Sequence, residues 1–175
     1  MLKCVLVDSN IIIEAHELGI WEKLIDKVEI SVSSIVAHTE SLFYSKKEGS
    51  IPGPINLKRL ITEGKIKEFS ATQDEIAVFL NTFDSVFVES LHDGENESLA
   101  LIMHKKLPDT FFCSSDAAAI KALAMIECSE NGISFEKMLK KTGLQQKLRR
   151  QFTEKFFQDA LKLGAQNLIT GQGLK

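Results

Sequence analysis

Long apolar runs are missing from this chain of 175 residues. The best candidates, Ile11–Ile13 and Leu99–Met103, fall far short of the roughly 20 residues that a membrane-spanning helix needs. The opening Met-Leu-Lys-Cys-Val-Leu-Val-Asp lacks the length and small-residue cleavage site of a signal peptide, and it reads as a first strand. Cysteine is scarce: Cys4, Cys113 and Cys128 are an odd number without metal-ligand spacing, which argues against a disulfide framework and for a reducing cytoplasm. Cys4 and Cys113 fall in predicted strands and read as small buried hydrophobes. A surplus of positive charge is also absent. The formal net charge of −3 argues against nucleic-acid binding by overall electrostatics, but it leaves local contact open. Residues 137–150 carry Lys137, Lys140, Lys141, Lys147, Arg149 and Arg150 with no acid among them. They read as a solvated basic face or a local contact surface. No internal repeat and no low-complexity segment interrupts the pattern.

What remains is an ordinary supply of core formers, 44% hydrophobic residues, in a length suited to one domain. Residues 1–175 are expected to form a single domain, with a core over about 1–130 and a helical extension over about 131–175. Leu2–Asp8 is an apolar run ending in Asp-Ser-Asn, a strand-to-helix transition. Helical patterns at Ile11–Ala15 and Ile20–Lys27 are broken at Gly19. A second strand is expected over Glu29–Ser33, and a helix from about Ile35 to Lys46 capped by Ser33 or Ser34. Lys46–Asn56, with Gly49, Pro52, Gly53 and Pro54, is the clearest loop. Lys65–Ser70 alternates like an edge strand, and Thr72 opens a helix ending near Phe83. Asp93-Gly94 precedes a helix from about Glu95 to Lys106, which Pro108 cannot continue. Thr110–Ser114 is the next strand, Asp116 begins an Ala-rich helix, and Met125–Cys128 reads as a short final strand. Helices are expected over Ser134–Lys141 and Leu144–Gly164. Alternating strands and helices imply a three-layer α/β/α sandwich around a parallel sheet, whose functional crevice lies beyond the carboxyl ends of the strands.

Four short acidic signals suit that crevice: Val7-Asp8-Ser9-Asn10, His38-Thr39-Glu40-Ser41, Asp93-Gly94-Glu95-Asn96-Glu97 and Ser114-Ser115-Asp116. Carboxylates crowded together require a divalent cation, a shared proton or basic partners. Each acid also has a plainer explanation. Asp116 suits a helix cap, Glu95 and Glu97 suit a helix dipole, and Asp8 suits a turn with Asn10 capping the next helix. Glu40 is harder to dismiss, because Val36, Glu40 and Phe43 would share a helical face and set a carboxylate beside an apolar stripe. Glu97 opens a helix that Leu99–Met103 makes apolar on every side, so its acidic first turn is expected to face a cleft. The histidines suggest no metal site: His38 and Glu40 face differently, and His16, His92 and His104 lack ligand spacing. Cys–His catalysis is unsupported, and a phosphatase using a second Asp two residues after Asp8 is excluded by Asn10.

Val-Asp-Ser-Asn after the first strand, an acid in the second helical region, Asp-Gly-Glu-Asn-Glu-Ser-Leu-Ala-Leu, and Ser-Ser-Asp before Ala-Ala together resemble a PIN domain. The resemblance runs in order from about Val5 to Ala124. It implies a metal-dependent ribonuclease, often the toxin of a toxin–antitoxin pair. Asp8, Glu40, Glu97 and Asp116 would be the catalytic, metal-binding acids, supported by Asn10, Ser114 and Glu95. The spacing of Glu97 to Leu101 favours it over Glu95 as the third acid. The implied cofactor is Mg²⁺ or Mn²⁺, and the implied chemistry is hydrolysis of phosphodiester bonds in single-stranded or structured RNA. Lys46, Lys47, Lys121 and the 137–150 group are the basic candidates for RNA contact. An antitoxin and a second copy of the chain are the expected protein partners, with Phe152, Phe156 and Phe157 offering apolar surface; no membrane partner is expected. Ala117, Ala118 and Ala119 stand where relatives often carry a basic residue. A catalytically inactive PIN-fold binding or regulatory module is therefore the alternative.

Overall fold

In the computed structural model, which describes residues 2–40, 43–44 and 51–175, strand β1 (Leu2–Val7) leads directly into helix α1 (Ser9–Glu17). Gly19, at φ +67°, turns the chain into α2 (Trp21–Ile25), and β2 (Val28–Ser33) follows. Ser33 caps the short α3 (Ser34–His38), and an antiparallel pair, β3 (Phe43–Tyr44) and β4 (Gly53–Pro54), leads to α4 (Leu57–Thr62). Next come β5 (Lys67–Phe69), α5 (Gln73–Leu80) and α6 (Ser85–Val88). Thr72 and Glu75 close a reciprocal capping box at the start of α5. Then α7 (Asp93–Met103), β6 (Phe111–Cys113) and α8 (Ala117–Met125) complete the central part, and α9 (Phe135–Thr142) and α10 (Glu154–Thr170) end the chain.

The main sheet has four strands in the order β5-β2-β1-β6, and every neighbouring pair is parallel. Side chains alternate between its faces. Val5 and Val7 join Ile30, Val32, Cys113, Phe135 and Met138 in one apolar cluster, whereas Leu6 and Phe112 join Phe79, Phe83, Leu99 and Leu123 in another. The sheet is therefore flanked by helices and packed on both faces, as a three-layer α/β/α arrangement requires. Because β2 and β6 lie on opposite sides of β1, the winding of the chain reverses beside β1, and a crevice opens where the helices diverge. No helix among the described residues is long and apolar enough to cross a membrane.

Three expected elements differ. The helix predicted to reach residue 46 stops at His38, where the N–H groups of Thr39 and Glu40 both bond the Ile35 carbonyl and close the helix end. Glu40 therefore does not share a helical stripe with Val36 and Phe43; Ser41, Lys46 and Lys47 lie outside the described residues. Met125–Cys128 is not a strand. It is the last residue of α8 and a tight turn, with Glu127 at φ +59° and the Cys128 N–H bonded to the Leu123 carbonyl. Gly132 instead makes the parallel bridge to Phe112. The helix expected from Leu144 begins only at Glu154, because Gly143 at φ +70° ends α9 and Arg149 is drawn to the carboxylates of Glu14 and Glu17.

The residues after 131 share the same core. Phe135, Met138 and Phe152 belong to the cluster containing Val5, and Phe157 packs with Ile120 of α8. Phe152 and Phe157 are therefore core residues, while Phe156 is partly buried. The end of the chain returns to the α5–α6 turn, with the Asp84 N–H bonded to the Gly173 carbonyl at 3.0 Å. Helices α8 and α10 approach so closely at Gly164 that a Cβ there would lie 2.4 Å from the Lys121 carbonyl oxygen. Backbone cannot yield as a flexible side chain does. Gly164→Ala should thus lower stability by about 1–3 kcal/mol through overpacking, read as a shifted midpoint in urea; an unchanged midpoint would contradict this close approach.

Candidate functional site

The parallel pairing of β1 with β6, Val7 opposite Cys113, brings the residues after both strands together at one edge of the sheet. Asp8 caps α1 by accepting the Asn10 N–H at 2.7 Å, and its other oxygen accepts the Ser114 hydroxyl at 2.5 Å. The same Ser114 oxygen accepts the Asp116 N–H at 3.0 Å. Asp116 caps α8, one of its oxygens taking the N–H groups of Ala118 at 2.7 Å and Ala119 at 3.1 Å. A single hydroxyl thus ties the two aspartates to each other.

Glu40 and Glu95 reach the same crevice from the opposite wall. Glu40 follows α3 and lies against the first turn of α7, where Gly94 leaves room for it. A Cβ at Gly94 would come within 2.3 Å of a Glu40 carboxylate oxygen and 2.7 Å of Val36. Glu95, 4% exposed, accepts the His92 N–H at 3.0 Å and stands 3.4 Å from His92 Nδ1. Asp8, Ser9, Asn10, Ile35, Val36, Thr39, Glu40, His92, Asp93 and Glu95 line a crevice of about 350 Å³. No lysine or arginine is among the described lining residues.

Glu97 is somewhere else. Its carboxylate accepts the Ser34 hydroxyl and the Ile35 N–H, each at 2.7 Å, and the Ala71 N–H at 3.1 Å. It fills the unsatisfied N-terminus of α3 and pins the turn after β5 to α7. Glu97, expected as the third crevice acid, is thus absent from the crevice lining, whereas Glu95 is part of it. Apolar surroundings on all sides of α7 do not distinguish the two, because both side chains are buried. His92 is the residue that sequence reasoning missed. One ligand atom each from His92, Glu95 and Asp116 lies within 4.8 Å of the others. The available signal was its position three residues before Glu95, one helical turn away.

Three of the basic candidates are engaged elsewhere. Arg149 pairs with Glu14 and Glu17, Lys140 with Glu136 at 3.0 Å, and Lys137 approaches Glu154 at 4.0 Å. Lys121 does not line the crevice. Glu14 is buried, so Arg149 anchors the segment between α9 and α10 to α1.

Electrostatically the crevice is under tension. Burial pushes the Asp8 carboxyl up to about 6; the Ser114 and Asn10 hydrogen bonds oppose the rise, and the charges of Glu40 and Asp116 add to it. Burial and the Asp8 charge push Glu95 up to about 8, with the His92 N–H opposing and Asp116 and Glu40 adding. The groups are oxygen donors, apart from one imidazole, and can hold a divalent cation or share protons. No protein-family model matches the chain, and no curated protein and no solved structure is similar to it. The site therefore rests on its own geometry.

The raised carboxyls make a prediction about metal-free protein. The fold favours protonated Asp8 and Glu95, so their contribution is complete below the ordinary values of 3.8 and 4.5. It is lost as pH rises through about 6 and then about 8. Thermal melts in chelator should show stability falling across this window, and Glu95→Gln should flatten its upper part. A melting temperature that rises from pH 6 to 8 in both proteins would contradict the assigned burial.

Proposed function

We propose that the protein is a PIN-like, divalent-cation-dependent nuclease that hydrolyses phosphodiester bonds in RNA. The strongest support is the convergence of Asp8, Glu40, Glu95 and Asp116, from four separate chain segments, around one crevice without a described lysine or arginine in its lining. Carboxylates at such density, with Asp8 and Glu95 buried, call for a cation or shared protons. Their oxygen-rich donor set fits Mg²⁺ or Mn²⁺. When bound, the cation supplies Lewis acidity toward a phosphate and makes water a better nucleophile at neutral pH.

The chain's own groups prepare that chemistry. The Ser114 hydroxyl holds the carboxylate of Asp8 and the backbone of Asp116 in fixed relation, so both donors are oriented before any ligand arrives. Gly94 lets Glu40 approach the start of α7, and Glu97 keeps α3 docked on α7 and so steadies that wall. Asn10, exposed at the rim, offers an amide to substrate. The likeness of the four acidic motifs to PIN domains favours RNA as substrate, a cytoplasmic setting, and the role of a toxin with an antitoxin partner and a homodimeric state.

One observation favours a second reading. Among the described residues, the alanines at 117–119 and the acidic lining offer no lysine or arginine to a phosphate. That suits a PIN-fold module that binds or regulates without catalysis.

Incubating single-stranded RNA with the protein and Mn²⁺ separates the two. The nuclease should cleave only with the cation, and Asp8→Asn, Asp116→Asn or Glu95→Gln should each slow cleavage by about 100-fold or more. Glu97→Gln should retain cleavage at a lower melting temperature. Mn²⁺-stabilised protein that leaves RNA intact would point to the regulatory module. Cleavage that survives Asp8→Asn would refute the proposed site.

A further inference from the structure

Among the described residues, the one imidazole in the crevice lining belongs to His92. Its backbone N–H is fixed by the Glu95 carboxylate at 3.0 Å as the chain enters α7, and its ring is mostly solvent-exposed. Nδ1 stands 3.4 Å from that same carboxylate, and one donor atom each from His92, Glu95 and Asp116 lies within 4.8 Å of the other two. Donors bound to one first-row cation at about 2.1 Å are at most about 4.2 Å apart. His92 Nδ1 and the Glu95 carboxylate, 3.4 Å apart, already satisfy that limit, and a donor atom of Asp116 lies within 4.8 Å of both residues' donors. Glu95 is 4% exposed, yet it takes donors on Oε2 alone; Oε1 finds none among the described residues although Glu95 lines the crevice. That oxygen is open to a cation or a proton in the crevice.

We propose that His92 contributes a nitrogen ligand to the crevice cation beside Glu95 and Asp116, making this a mixed nitrogen–oxygen site that prefers Mn²⁺ or a later first-row divalent ion to Mg²⁺. The proposal rests on the reading that the crevice holds a divalent cation. Its own content is the nitrogen. Mg²⁺ binds oxygen and keeps its waters, whereas imidazole suits the transition ions. A ring that merely pairs with the Glu95 carboxylate would supply no metal–nitrogen bond and no such preference.

Pulsed electron paramagnetic resonance of the Mn²⁺-loaded protein reads the nitrogen directly and needs no activity. The unmodified protein should show ¹⁴N modulation from a coordinated imidazole, and histidine labelling with ¹⁵N should replace that pattern. In His92→Ala the modulation should vanish while Mn²⁺ stays bound, and the preference for Mn²⁺ over Mg²⁺ should fall by at least about tenfold. The labelling arm tests the claim even if the variant fails to fold. Bound Mn²⁺ without nitrogen coupling, or coupling that persists in a folded His92→Ala, would overturn the proposal and leave the carboxylate site standing. No Mn²⁺ binding by the unmodified protein would overturn the cation site and this ligand with it.

Discussion

One hydroxyl holds the crevice together. Ser114 gives its hydrogen to Asp8 and takes the N–H of Asp116, joining the ends of two neighbouring parallel strands through a single atom. This contact exists only because β1 and β6 pair in register, Val7 against Cys113, and because both strands are packed on both faces and cannot slip. Everything else at the site is arranged around this fixed pair. Glu95 and Glu40 meet it from the far wall; burial drives the carboxyls of Asp8 and Glu95 upward, and the neighbouring carboxylate charges add to the rise.

Much of the fold was legible because it follows local rules. The strand-to-helix turns at Asp8 and Asp116 carry capping side chains, and the alternation of strands with helices requires a covered parallel sheet. Edge position was readable in the alternation over Lys65–Ser70, which contains the edge strand β5. The errors arose where tertiary contacts outweigh propensity. No breaker in the sequence ends α3 at His38; Glu40, two residues on, lies against Gly94, far along the chain. The stretch from Leu144 to Thr153 has helical composition, but a long-range ion pair through Arg149 holds it in another course.

The choice between Glu95 and Glu97 shows why site residues are harder to read than elements. Both lie in the first turns of one buried helix, two positions apart, and differ in which neighbours they meet. Glu97 meets three donors from α3 and the turn after β5, so its charge is satisfied structurally. Glu95 meets other carboxylates, and its charge is not. The distinction depends on where α3 and β5 dock, which no helical period encodes. His92 was missed for a related reason: it belongs to no ligand spacing in the sequence and becomes a candidate only when α8 brings Asp116 beside it.

The central claim is that buried, partly protonated carboxylates await a divalent cation. Calorimetric titration of Mn²⁺ at pH 7, in two buffers of different ionisation enthalpy, tests it most directly by counting protons. With Glu95 raised to about 8 and Asp8 to about 6, binding should release about one proton per cation at this pH. The release should decline in Glu95→Gln and persist in Glu97→Gln. Binding without proton release, or no binding heat in either buffer, would contradict the account.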